Sequence, residues 1–361
     1  MCYKKGEKMD ENKRLIYPDF LRIISAFAVI VIHCVGVLWN KIPVLSKSWV
    51  ALTLIDSLFR FAVPVFVMVS GMFMLSPSKK HGIKELFLKR ILRIITSFAF
   101  WSIIYIFCNQ ILMFISDKSS FKLDFFSVFK SFIVGEYHLW FLYMIAGLYI
   151  VTPLLQKLVE KKSTIQYFLA IWFIFCLTPN FIKLIPGIGD YVFQFFSYFK
   201  ISIAIEYSGF YILGYYLHNY IVGKPARISI YILACISTVI VALMTVIISF
   251  KSSKAISDYF EYLLPTTALQ SSAVFLCVKN KFHNYNFSKN AKKIIFTLSK
   301  ISFGVYLSHV LVINVMFKLC FQSLSLPTYV IFSVLLIATV IISSIISFLL
   351  NKIPGLSKHI L

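Results

Sequence analysis

Apolar segments of roughly 20 residues follow one another along almost the whole chain, and each is long enough to cross about 30 Å of hydrocarbon as a helix. About ten such segments can be drawn between Tyr17 and Leu350, joined mostly by short polar loops. The composition agrees: 59% of residues are hydrophobic, 17% aromatic and 14% charged, with a mean hydropathy of +0.84, far from the balance of a soluble domain. The expected fold is an all-α polytopic membrane protein with about ten transmembrane helices.

A formal charge of +22 would suit a nucleic-acid partner if it were gathered on one face. It is instead spread over alternate loops, as the positive-inside rule requires of a multi-pass protein, so no nucleic acid is expected. The tail with Lys4, Lys5, Lys8, Lys13 and Arg14 places the N-terminus in the cytoplasm, and the alternation returns the C-terminus there. The first fifteen residues carry both signs of charge and no small-residue cleavage site follows the first apolar run, so that run is expected to stay as a helix of a cell-membrane protein. Residues 1–15 and 351–361 read as cytoplasmic tails and 16–350 as one membrane domain, since no composition shift marks a second unit. The seven cysteines are scattered singly, without metal-ligand or disulfide spacing, and no metal is expected.

The first helix carries groups that hydrocarbon tolerates poorly. The eleven-residue step from Arg22 to His33 is three turns and about 20° over, a rise of roughly 16 Å, so the two side chains point the same way. Asp19, three residues before Arg22, joins that stripe, and ionisable groups on one face of a membrane helix turn it toward a protein interior or wet cavity. Asp19 could act as an acid, pair with Arg22, or anchor the helix at the headgroups. On the second helix Asp56 and Arg60 are four apart and can neutralise each other, and Pro64 should kink the helix close by. Ser302, Tyr306 and His309 form a second polar stripe on the ninth helix. Gly209 and Gly214 on the sixth permit close helix contacts.

Lys79, Lys80, Lys84, Lys89, Arg90 and Arg93 make the densest basic cluster. It reads as cytoplasmic anchoring or as a phosphate-binding mouth, since guanidinium forks grip phosphate. Between residues 116 and 137, Phe121, Phe125, Phe126, Phe129 and Phe132 give an amphipathic pattern expected to lie at the membrane interface. Buried charges of this kind also suit a transporter or flippase, although no inverted repeat with paired broken helices is visible.

Several motifs in one order resemble the acyltransferase 3 family of integral membrane acyltransferases. Arg22 and His33 match its Arg-x10-His signature; Pro64-Val-Phe-Val-Met-Val-Ser70-Gly71, Leu88-Lys-Arg-Ile-Leu-Arg93, His138-Leu-Trp-Phe-Leu-Tyr143, Phe210-Tyr-Ile-Leu-Gly-Tyr-Tyr216 and Ile301-Ser-Phe-Gly-Val-Tyr306-Leu-Ser-His309 are similar to further family motifs. The resemblance implies ten core helices and transfer of an acyl group, usually acetyl from cytosolic acetyl-CoA, to a carbohydrate or envelope acceptor, here an envelope polysaccharide or a lipid-linked saccharide. It implies that Arg22 and His33 are the essential pair. Membrane lipid is the remaining partner.

Acyl transfer from a thioester to a hydroxyl needs a base, a group that steadies the oxyanion and a grip on the anionic donor. His33, with an ordinary pKa near 6.5, suits the base. Arg22, with Lys89, Arg90 and Arg93, suits the phosphates of acyl-CoA. Ser70, Tyr306 and His309 are candidate donors to the tetrahedral intermediate, and Asp19, Asp56 and Arg60 candidate walls of the cavity.

Overall fold

The polypeptide enters its first span at Pro18, whose fixed φ and missing N–H suit the first turn of a helix. The computed structural model describes residues 15–76, 83–116, 125–201, 205–321 and 326–353, with 355 and 360. The basic N-terminal tail up to Arg14, Lys79, Lys80, Phe121 and most of 351–361 lie outside the described residues. In chain order the helices are α1 (Tyr17–Trp39), α2 (Lys47–Phe59), α3 (Ala62–Met74), α4 (Leu86–Ile115), the short α5 (Phe125–Val134), α6 (Tyr137–Leu158), α7 (Lys162–Ile182), the short α8 (Gly189–Ser197), α9 (Ser208–Asn219), α10 (Lys224–Ser252), α11 (Pro265–Phe282), α12 (Lys289–Phe321) and α13 (Thr328–Lys352).

Among the described residues there are eight helical stretches long and apolar enough to cross a membrane, α2 and α3 together forming one of them. The fold is an all-α polytopic membrane protein. The sequence pattern counts two more spans, and both exist as helices of a different kind. With 12 residues, α9 is about 18 Å long, short of the hydrocarbon thickness. The other, α11, has 18 residues and buries Thr266, Thr267, Gln270, Ser271 and Ser272 against the protein, so its composition reads as polar although it sits inside the bundle.

Contacts between helix ends show that the chain alternates direction. Tyr17, at the start of α1, reaches Met72 near the end of α3 and His218 near the end of α9; its hydroxyl is 3.3 Å from the Met72 sulfur and 2.5 Å from His218 Nδ1. At the other end of α1, Trp39 donates to Thr53 on α2 at 2.8 Å and stacks on Trp49. The bundle therefore has an Arg22 end and a Trp39 end. Pro64 breaks the second span where its missing N–H leaves the Arg60 carbonyl without a helical donor, and the helix is interrupted at Arg60 and Phe61.

The tightest helix crossing is that of α3 with α9, and reciprocal glycines make it possible. A Cβ on Gly71 would stand 1.9 Å from the Tyr211 carbonyl oxygen, and one on Gly214 would stand 2.1 Å from that of Met68. Backbone cannot yield as a side chain does, so these glycines set the interhelical distance. Gly71→Ala and Gly214→Ala are each expected to destabilise the protein by at least about 1–3 kcal/mol in thermal unfolding in detergent. Gly147→Ala, where an added Cβ meets nothing within 4 Å, should unfold with the wild type.

Candidate active site

His33 lies more than two-thirds along α1, on the face that carries Arg22. Helix α12 runs in the same direction beside α1, and Ser299 donates to the Asp19 carboxylate at 2.6 Å near one end of the pair. Further along, His309 of α12 faces His33 with ring centroids 5.0 Å apart. A third histidine arrives from α6. Gly135, at a φ of +72°, turns the chain where an added Cβ would strike the Phe98 ring at 2.7 Å. The tight turn that follows, Tyr137–Leu139, presents Tyr137 and His138 to the same spot. His138 is 5.2 Å from His309 and 6.4 Å from His33, centroid to centroid.

Tyrosines hold these rings. The Tyr105 hydroxyl of α4 donates to the Leu307 carbonyl at 2.9 Å and accepts from the Leu311 N–H at 3.0 Å. Its proton is thus used, and its 3.4 Å contact with His138 Nε2 has the imidazole N–H donating. That leaves His138 Nδ1 as the bare nitrogen, and it is buried with no hydrogen-bond partner. His309 Nδ1 lies 2.5 Å from the Tyr306 carbonyl, which can only accept, so Nδ1 carries the proton. His309 Nε2 is then also a bare acceptor, buried and without a partner. The Tyr306 hydroxyl donates to the His138 carbonyl, which makes Tyr306 a positioning residue in this geometry. The Tyr137 hydroxyl is 3.3 Å from His33 Nδ1. His138 and His309 are fully enclosed, while His33 is half-buried, so His33 is the ring most open to a substrate.

The other candidate residues divide between this cluster and the Arg22 end. Arg60, at the helix break, pairs with Asp56 at 3.2 Å, donates to the Phe260 carbonyl and lies over the Tyr262 ring at 4.7 Å; its charge also acts on His33. Asp19 pairs with Arg22 at 3.4 Å, and the Arg22 guanidinium lies over the Phe73 ring at 5.0 Å. Asp19 is therefore tied to Arg22 and Ser299, remote from the histidines. Lys89, Arg90 and Arg93 are exposed at the same end; Lys89 pairs with Glu85 at 2.9 Å, and the charges of Arg90 and Arg93 reach Tyr211 and Tyr149. Ser70 is half-buried on α3 and makes no hydrogen bond to the cluster. Among the described residues no set of three or more His, Cys, Asp or Glu is arranged to hold a metal ion.

A family model described as an acyltransferase domain matches residues 15–348. The chain belongs to the acyltransferase 3 family. No curated protein and no solved structure matches it. Membership settles the choice between enzyme and transporter that the buried charges leave open, and the protein is a membrane acyltransferase. Within it, two members of the histidine cluster, His33 and His309, are legible as stripes on single helices. His138, Tyr105 and Tyr137 are not, because their place depends on where α4 and α6 pack. The signals in their favour are the His138-Leu-Trp-Phe-Leu-Tyr143 motif and the pair Tyr137-His138 opening an apolar helix straight after a glycine turn. Tyr105→Phe is expected to leave the Leu311 N–H and the His138 imidazole short of a partner, and so to lower stability by about 1–3 kcal/mol in thermal unfolding and acyl transfer with it.

Proposed function

We propose that this acyltransferase moves an acyl group, acetyl in the simplest case, from acyl-CoA to a hydroxyl of a cell-envelope polysaccharide or lipid-linked glycan. The observation that carries the reading is the convergence of His33, His138 and His309 from three helices inside the bundle, roughly 16 Å along α1 from Arg22. The extended arm of CoA, between its phosphates and its thiol, suits such a gap. The positive-inside pattern of the loops puts the Arg22 end toward the cytoplasm, with both termini, where acyl-CoA is made. Arg22 then grips donor phosphates at the mouth, with Arg90, Arg93 and Lys89 around it.

At the histidine cluster the acceptor O–H attacks the thioester carbonyl carbon. His33, the partly accessible ring, takes the proton as the C–O bond forms, and the carbonyl becomes an oxyanion. Tyr137, beside His33, and the Arg60 charge supply the field around it. Collapse breaks the C–S bond, and the departing thiolate recovers the proton from the imidazolium, giving acylated acceptor and free CoA–SH.

Two outcomes check this. His33→Ala, inserted in membranes at wild-type level, should lose on the order of 100- to 10,000-fold in transfer of label from acetyl-CoA to glycan or lipid. Full activity in His33→Ala removes it as the base. Arg22→Lys should raise the KM for acyl-CoA about tenfold with a smaller change in kcat, because an ammonium cannot replace a bidentate fork. An unchanged KM places the donor elsewhere.

A further inference from the structure

Two cavities lie side by side between α4, α5 and the turn into α6, on the side of the histidine cluster away from Arg22. One is polar, about 370 Å³, and Ser102, Tyr105, Asn109, Lys130, Ser131 and Glu136 are among its walls. The Ser102 hydroxyl in that wall is completely buried and has no hydrogen-bond partner. Asn109 donates to Glu136 at 3.1 Å, so an amide and a carboxylate stand together for a ligand rich in hydroxyls. The other cavity is an apolar groove of about 700 Å³, lined by Ile103, Phe107, Ile111, Phe114 and Phe129. Ile106 lines both, and Tyr105, which touches His138, lines the polar one.

We infer that these cavities are the acceptor site, the groove holding the hydrocarbon tail and the polar cavity the sugar head of a lipid-linked saccharide that enters sideways from the bilayer. A bulk lipid would satisfy the groove alone. Only an amphiphile with a hydroxylated head fills both cavities and brings a hydroxyl past Tyr105 to the histidines. Lys130, in the polar wall on α5, is placed for the phosphate that joins tail to sugar in such a molecule. The inference rests on the reading of the histidine cluster as the transfer site.

The test uses the full-length protein in nanodiscs with labelled acetyl-CoA, and as acceptors a polyprenyl-phosphate hexose and the same hexose without lipid. The lipid-linked acceptor should show a KM at least about tenfold lower. Ile111→Trp, which fills the groove, should raise that KM about tenfold more than it raises the KM of the free hexose. Asn109→Ala should raise both. Equal use of the two acceptors, with Ile111→Trp indifferent between them, overturns the inference while leaving acyl transfer intact. A second readout does not need turnover: a photoactivatable tail on the polyprenyl-phosphate hexose should crosslink to peptides of α4 and α5, with excess unlabelled hexose lipid displacing it and excess bilayer phospholipid failing to. Equal displacement by phospholipid means that the groove holds annular lipid only and overturns the proposal, even where no label moves and the proposed function itself fails.

Discussion

A carboxylate inside a membrane bundle has to find its partners within the protein, because hydrocarbon offers none. Asp19, 4% exposed, has among its partners the Arg22 guanidinium one turn along its own helix and the Ser299 hydroxyl of α12. The first is local and would form in any helix of this sequence. The second joins α1 to α12 and favours one register, since sliding either helix by a turn would break it. The face-to-face placement of His33 and His309 follows from that register. A small polar contact near one end of the bundle thus governs the site near its middle.

The same logic operates at the second span. Pro64 leaves the Arg60 carbonyl unbonded, the helix opens at Arg60 and Phe61, and the guanidinium at the opening turns to Asp56 and to the Phe260 backbone. A positive charge is thereby held inside the bundle by a defect in a helix. Below the break α3 is regular again and presses its backbone against α9 through Gly71 and Gly214. Where the protein must be rigid it uses glycine contact, and where it must offer a charge it uses proline.

What was legible in the sequence depended on distance along the chain. The spans, the stripe from Asp19 through Arg22 to His33, the Asp56–Arg60 pair and the Tyr306–His309 stripe all sit within one helix, where 3.6 residues per turn fixes who faces whom. Pro64 and Gly214 carry their consequences with them. Contacts between helices were less visible. His138 joins His33 and His309 only because α6 starts where it does, and Tyr105 is one of 20 tyrosines until its hydroxyl is seen between Leu307 and Leu311. The reading of α11 as an apolar span overlooked that a helix surrounded by protein can carry Thr, Ser and Gln at membrane depth. Ser70, a donor candidate by motif, stands one turn along α3 from Phe66, whose ring meets Tyr306.

The unpartnered polar atoms tie these observations to function. Each buried donor or acceptor left without a partner costs about 1–3 kcal/mol, and those of Trp101, Ser102, His138 and His309 gather around Tyr105. Others occur elsewhere, Trp172 and Ser343 among them, but of this group Ser102 stands in the wall of the polar cavity, which Tyr105 also lines. The carbonyl of Tyr306 fixes the tautomer of His309, so the ring that faces His33, the proposed base, is held without freedom to turn. The instability is therefore preorganisation: His138 and His309 are held in place around His33 before a substrate arrives, and Tyr105 and Tyr306, which hold them, are satisfied by backbone. On this view the strength of the site lies in what its rings are prevented from bonding to.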